Sequence, residues 1–321
     1  MKKLSLCILA LSLIFATSCE NEENLTELEN LEPTNETVAT ERKCFSSEIL
    51  EKQLAENPEM FKRLAQIEDQ TKRFSEEDLK APNGTIEIPV IVHVIYRTNQ
   101  QNISNAQIRS QIDVLNRDFS ATNSDVSNVP SEFRSRVANA NFRFTLKQVT
   151  RKRSSRSSWG TNDRMKFASG GGVNAIDTRR NLNIWVCNIG GGILGYAQFP
   201  GGRTATDGVV ISPQYFGTQG FVSSPFDRGR TATHEVGHWL NLRHIWGDGN
   251  CNRDDRVADT PVSNGPNYGC PRYPTVRCGS NDMTMNYMDY VDDRCMYMFT
   301  NGQKNRMRAL FSPGGPRETL L

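Results

Sequence analysis

The chain has 321 residues, 37% of them hydrophobic and 23% charged, with a formal net charge of +2. That is the composition of an ordinary globular protein, long enough to bury a full core, and it excludes polyanion binding as the main activity. Eight cysteines are too many to pass over and too few for a disulfide-dense miniprotein, so their positions matter more than their number.

Residues 1–18 have the charged, apolar and small-residue order of a signal peptide: Met1-Lys2-Lys3, an apolar run from Leu4 to Ala16, then Thr17-Ser18. The run is too short to span a bilayer permanently. Small residues directly before Cys19 resemble a bacterial lipobox, in which that cysteine is lipidated and becomes the new N-terminus; a signal anchor and simple secretion are the alternatives. Residues 20 to 41 hold eight glutamates and no lysine or arginine, so 19–43 reads as a solvated acidic tether. The acidic stretch after Cys19 also resembles the export signal of bacterial surface lipoproteins. The folded part is therefore expected outside the cytoplasm, either secreted or held at the outer membrane by its lipid alone, where disulfides are allowed.

From Ser46, apolar residues recur at helical spacing (Ile49, Leu50, Leu54, Met60, Phe61, Leu64, Ile67), with a break near Pro58. This predicts a small helical segment within 44–80 whose polar end, 68–80, is a linker. The main domain starts with the strand TIEIPVIVHVIYR from Thr85, rich in β-branched residues. Ser104 and Gln107 form a capping box before the stripe Ile108, Ile112, Leu115 and Phe119. Further strands are expected near 142–149, 182–188 and 207–212, which together with the helix suggest an α/β sandwich. The basic run Arg151, Lys152, Arg153 and Arg156 lies among serines and reads as a solvated loop; no nucleic-acid partner is expected. Cys187, inside LNIWVCNI, reads as a buried free thiol, and His93, inside the first strand, as a core histidine.

The chain has four histidines, three of them in HEVGHWLNLRH, residues 234–244. His234 and His238 lie four apart and share one helix face, so both imidazoles can reach one zinc ion. Glu235 is placed to take a proton from a water that the metal activates rather than to bind the metal itself. His244 follows six residues after His238, and at about 100° per residue an unbroken helix would carry it off that face. The helix must end in between, and Asn241 tolerates the left-handed conformation that would end it. Three imidazoles with an open fourth position make a catalytic zinc site, whereas structural sites are closed and cysteine-rich.

HEVGHWLNLRH resembles the long zinc-binding motif of the metzincin metallopeptidases, HExxHxxGxxH, with Asn241 at the glycine position. Asn286-Tyr287-Met288-Asp289-Tyr290 resembles the Met-turn of the pappalysin branch. With GILGYAQFPGG and the downstream cysteines, the likeness covers about residues 44–312. It implies an α/β (α+β) fold: a bipartite metzincin catalytic domain at 81–321, with a twisted mixed sheet and the active-site helix in the upper part (81–241) and an irregular, disulfide-linked lower part (242–321). Met288 would form the apolar floor beneath the imidazoles, and Tyr290 would help hold the oxyanion. Residues 191–198 would form the rim on which an extended substrate adds as a strand. Structural calcium is expected at Asp254, Asp255, Asp259 and Thr260, hard oxygen donors crowded into one loop.

Four cysteines at 251, 270, 278 and 295 allow three pairings; the resemblance implies Cys251 with Cys278 and Cys270 with Cys295. It also implies that residues 44–80 are an inhibitory propeptide in which Cys44 fills the open zinc position, cut near Arg63 or Arg73; the alternative for Cys44 is a disulfide to Cys187. One of the three acids in Asp289-Tyr290-Val291-Asp292-Asp293, Asp292 or Asp293 rather than Asp289, would line the pocket that receives the residue after the scissile bond. A carboxylate there favours Arg over Lys, and the family shares that preference. The expected activity is that of a monomeric zinc endopeptidase acting on proteins or peptides. The competing readings are a surface-binding lipoprotein that keeps an inactive protease fold, and a gluzincin-like peptidase, which His244 makes needless.

Overall fold

The computed structural model describes residues 38–76 and 84–320. The signal peptide, Cys19 and most of the acidic tether lie outside them. The end of the tether does not behave as expected. Ala39 is buried and its N–H donates to the Tyr215 hydroxyl at 2.8 Å, and Arg42 is buried as well. The docked chain therefore begins before residue 44.

Two helices follow, α1 (Ser46–Glu56) and α2 (Pro58–Glu76). Pro58 opens α2, a position where its missing N–H costs nothing. The polar stretch expected as a linker continues α2 instead to Glu76, because Ile67, Thr71 and Phe74 keep a helical stripe buried. Arg63 and Arg73 thus lie inside a helix. A protease that reads extended chain cannot cut there unless α2 unwinds locally.

The catalytic core is a five-stranded sheet in the order β2 (Phe142–Arg153), β1 (Ile86–Tyr96), β3 (Leu182–Val186), β5 (Val209–Ile211) and β4 (Gly195–Ala197). All pairings are parallel except β4 against β5. Strand β1 is buried on both faces over most of its length, as a central parallel strand should be. Ile86, Ile88, Val90, Val92 and Val94 face the main core with helix α3 (Asn105–Phe119), while Ile95 joins Trp185, Cys187, Tyr196 and Val210 on the other side. His93 is the expected core histidine: Thr150 and Asn183 hold its two ring nitrogens at 2.8 and 2.9 Å. The capping box at α3 is only half made. Ser104 accepts from the Gln107 N–H, but the Gln107 side chain turns away to bind the carbonyls of Pro213, Phe216 and Phe221.

Helix α4 (Arg230–Trp239) runs through the middle of the domain, and every one of its residues is buried. Arg230 anchors its start through Asp118 (3.2 Å) and Asp125 (3.1 Å). Among the described residues after Asn241, no strand joins the large sheet. The remainder is loops, a two-residue hairpin of β6 (Val276–Arg277) and β7 (Ser280–Asn281), and helix α5 (Asn301–Ala309). Cys251 is bonded to Cys278 and Cys270 to Cys295, the pairing that the resemblance implied; Cys44 and Cys187 are free and buried.

Strand β4 lies against α4 so closely that only glycine fits at its first residue. A Cβ on Gly195 would stand 2.9 Å from the Val210 carbonyl oxygen and 3.1 Å from Glu235 Cγ. Gly195→Ala should destabilise the fold by about 1–3 kcal/mol through overpacking. Urea unfolding checks this, and an unchanged midpoint would show that β4 and α4 can part to admit a methyl group.

Candidate active site

Helix α4 presents His234 and His238 on one face, and Asn241 at φ 71° ends it as the spacing required. The turn returns His244 to the same point. The three Nε2 atoms form a triangle with edges of 3.1, 3.1 and 3.3 Å. Nitrogens about 2.0–2.1 Å from a tetrahedral zinc ion would be about 3.3–3.4 Å apart. Each Nδ1 faces an acceptor: the Tyr287 carbonyl at 2.7 Å, the Leu242 carbonyl at 2.8 Å and Asp248 Oδ1 at 2.5 Å. The Nδ1–H tautomer is thereby fixed, and three Nε2 lone pairs point at one buried spot. Burial, then the neighbouring imidazoles, hold His234 well below its ordinary pKa and His238 at about 3, so protons do not resolve the conflict. A bound cation does. Among the described residues, the one cluster of three or more His, Cys, Asp or Glu side chains placed to hold a metal is this triad with Cys44.

Cys44 lies across the cleft as the fourth member, all four ligand atoms being within 4.8 Å of one another. Its thiol donates to Glu235 Oε2 at 3.3 Å, and Ser46 Oγ donates to the same oxygen at 2.9 Å. Burial pushes the Glu235 carboxyl up to about 7 against these hydrogen bonds, in the range useful to a general base. The chain around Cys44 runs along β4: Leu194 N–H donates to the Lys43 carbonyl, Phe45 N–H to the Gly195 carbonyl, and Ala197 N–H to Ser46 Oγ. Tyr290 donates its hydroxyl to the Cys44 carbonyl oxygen at 3.1 Å. The group expected to hold an oxyanion is thus already bound to a main-chain carbonyl beside the triad. Burial raises its pKa well above the ordinary value, which keeps it a donor.

Met288 is fully buried beneath the triad, and a Cβ on Gly237 of α4 would stand 2.5 Å from its Sδ. Trp246 stacks on His244 with centroids 4.4 Å apart. Asp248 completes that corner; burial would raise its carboxyl, but His244 and the hydrogen bonds from His244 and Ser47 outweigh burial and hold it at about 2.

Asp293 is fully buried, and its Oδ2 accepts from the N–H groups of Arg228 and Arg230. Its Oδ1 is 2.6 Å from Arg42 Nη2, with both side chains at most 1% exposed. The same guanidinium reaches Thr231 Oγ1 at 3.2 Å and the Val291 carbonyl at 3.4 Å, and lies 4.9 Å over the Phe226 ring. Asp292 turns elsewhere, toward Arg294 at 3.6 Å. Sequence reasoning had left the two acids equivalent and had missed Arg42, Ser46 and Asp248. Arg42 stood inside the supposed tether, and a lone Asp, Ser or Arg has no spacing signal of its own.

The expected calcium ligands do not converge as four. Asp254 is exposed and caps the Arg256 N–H, while Asp259 is taken up by Thr300 Oγ1 and the Gly302 N–H at the start of α5. Asp255 and Thr260 do meet: Thr260 Oγ1 lies 2.7 Å from both Asp255 Oδ1 and the Val257 carbonyl oxygen. Asp255 Oδ2 is buried with no hydrogen-bond partner.

The comparisons with known proteins agree with this geometry. The family model described as Pregnancy-associated plasma protein-A matches residues 174–312. The extracellular metalloprotease of Arthroderma benhamiae is 33% identical over 260 residues, covering 77% of this chain and 79% of the relative. The chain belongs to the pappalysin family of metallopeptidases. The extracellular metalloprotease 1 of Coccidioides posadasii is likewise 33% identical, over 79% of this chain and 86% of its own length. Among solved structures, a glutamate-to-alanine variant of Tannerella forsythia promirolysin superposes with a TM-score of 0.81 at 46% identity, covering 87% of this chain and 97% of that one. Mature mirolysin in complex with a cleaved peptide gives 0.73 at 50% identity, over 74% and 96%. This pappalysin has the metzincin fold and is a zinc metalloendopeptidase. The inactive surface-binding reading has nothing to support it, since the triad, Glu235 and Tyr290 share one cleft.

Proposed function

We propose that this pappalysin is made as an exported, latent precursor and that its active form cleaves peptide bonds on the N-terminal side of Arg, less readily Lys. The observation that carries this reading is Arg42 on Asp293. An arginine two residues from the thiol facing the histidine triad fills a pocket whose acid, hydroxyl, carbonyl and ring all suit a guanidinium. The flat fork uses that geometry better than a compact ammonium. The chain from Lys43 to Ser46 occupies the β4 edge that an extended substrate would use. The precursor form of mirolysin covers more of this chain than the mature form does, and the relatives are named as extracellular. Residues 1–18 would direct export, with a lipid on Cys19 as the one membrane attachment.

A zinc ion held by His234, His238 and His244 would supply Lewis acidity toward the water and the scissile carbonyl. Glu235 removes a proton from the attacking water and returns it to the departing amine. Tyr290 donates to the oxyanion as charge develops there. Asp293 fixes the residue after the scissile bond, which orients that bond over Glu235. In the precursor, Cys44 takes the fourth position of the triad and Ser46 engages the base, so neither is free for a substrate.

Cleavage-site profiling of a proteome-derived peptide library should show Arg, then Lys, immediately after the cut. Chelation should abolish activity. Glu235→Ala should retain zinc and lose turnover by orders of magnitude; near-normal turnover in that variant would reject the mechanism, and cuts without basic enrichment would reject the pocket. Asp293→Asn removes a charge-assisted contact of about 1.5–3 kcal/mol, so kcat/KM for Arg substrates should fall roughly 10–100-fold.

Latency is tested on the full chain. Arg42→Ala and Cys44→Ala should each raise basal hydrolysis of a short Arg-containing peptide, by roughly tenfold or more for a latch contribution of about 1.4 kcal/mol. If Cys44→Ala stays as silent as the parent, another residue holds the site shut.

Asp255, Thr260 and the Val257 carbonyl suit calcium, which would satisfy the orphaned Asp255 oxygen. Without the cation, burial raises the Asp255 carboxyl to about 7. Calcium must displace that proton, so its stabilising effect should be full above pH 7 and fade as pH falls through 7. Melting curves with and without millimolar calcium check this, and Asp255→Asn should remove the difference.

A further inference from the structure

The three imidazoles of the triad are not held alike. His234 and His238 belong to α4 and donate to neutral main-chain carbonyls, whereas His244 stands in the loop beyond the turn and faces the carboxylate of Asp248 at 2.5 Å. Helix geometry cannot fix a ring that lies outside the helix. Trp246, stacked nearly parallel at 3°, limits its tilt, but stacking leaves rotation within the ring plane free.

The backbone adds an independent sign. Asp248 sits at φ 54°, a left-handed conformation in which glycine is unstrained and a side chain costs about 1–2 kcal/mol, less for Asp. A residue kept at such a cost points to a role for its side chain. That side chain is well engaged: one oxygen accepts from His244, the other from Ser47 Oγ at 2.9 Å. Ser47 belongs to the segment that crosses the cleft, so its removal would leave the His244 contact alone.

Resting on the zinc reading above, we infer that Asp248 is a positioning residue that fixes the tautomer and direction of His244 and strengthens it as the third zinc ligand. A carboxylate acceptor on Nδ1–H enriches Nε2 in electron density, and loss of such a partner typically weakens metal binding about 10–100-fold. Asp248 touches neither substrate nor metal.

The test uses the full chain carrying Glu235→Ala, to stop self-cleavage, and Cys44→Ala, so that three histidines alone hold the ion. Zinc affinity is measured by competition with a chelating dye, and the unfolding midpoint of the zinc-free protein is measured beside it. Asp248→Gly suits the backbone and removes the carboxylate; Asp248→Asn keeps an acceptor without the charge. The expected result is a zinc dissociation constant weakened about 10–100-fold by Asp248→Gly and less by Asp248→Asn, with the zinc-free midpoint of the glycine variant undiminished. Affinity within twofold of the parent for both variants overturns the inference, and so does a loss of affinity matched by a fall in the zinc-free midpoint, which would make Asp248 merely structural. A parent that binds no zinc would overturn the zinc reading itself, a distinct result.

Discussion

Three imidazole lone pairs aimed at one point from 3.1–3.3 Å apart are mutually repulsive where all three rings are buried. The arrangement is stable only with a cation among them, and much of the surrounding structure makes sense as the means of enforcing it. Helix α4 is buried over its whole length because it must deliver two of the rings to the interior. Arg230, Asp118, Asp125 and Thr233 tie its first turn, and the left-handed Asn241 stops it in time for the third ring to return. The Met-turn contributes twice, through the Tyr287 carbonyl that fixes His234 and through Met288 packed against Gly237.

The parts of this design that were legible in the sequence are those with a fixed period or spacing. Two histidines four apart, a third six further on and an Asn between them imply a helix, a turn and one metal, and the coordinates repeat that logic. Strand β1 was legible because a long β-branched run has few other uses. What could not be read depends on contacts across long stretches of chain. Arg42 lies 251 residues from Asp293, and nothing local distinguishes it from a solvated arginine after a run of glutamates. The capping box at Ser104 failed in its second half because three main-chain carbonyls of a distant loop offered Gln107 more than its own helix did. Strand β4 is three residues long and glycine-led, too short for alternation to register. The acidic loop shows the same limit: clustering in sequence says that four oxygen donors are near one another, but not that Asp259 is spent on the α5 N-terminus.

On the proposed reading, one buried acid would link specificity to latency. The acid that would select a substrate's arginine is occupied by an arginine of the chain itself, and the thiol two residues later stands where the reacting bond would be. Such an economy has a physical basis: burying a carboxylate is costly, and beyond the two main-chain N–H groups that Asp293 accepts from, a cation offsets that cost. Arg42 supplies one here, and on the proposed reading a substrate's arginine would supply it in the active form. On that reading the cleft would be closed by the same chemistry that admits the correct side chain.

The N-terminal segment also reaches the zinc-site turn from the opposite side. Glu68, on α2, pairs with both guanidinium nitrogens of Arg306 and with Arg256 at 3.0 Å. Burial would raise its carboxyl, yet the two arginines outweigh burial and lower it. Arg306 in turn donates its Nε–H to the Asn241 carbonyl at 2.6 Å. The residue whose conformation brings His244 back to the triad is thus held by an arginine whose charge the N-terminal helix neutralises. One segment therefore engages the substrate pocket, the metal triad, the general base and the turn that assembles the triad. With contacts spread over sites this far apart, displacement of Cys44 alone would leave the rest in place, so on the proposed reading removal of the whole segment is the step that would free the cleft.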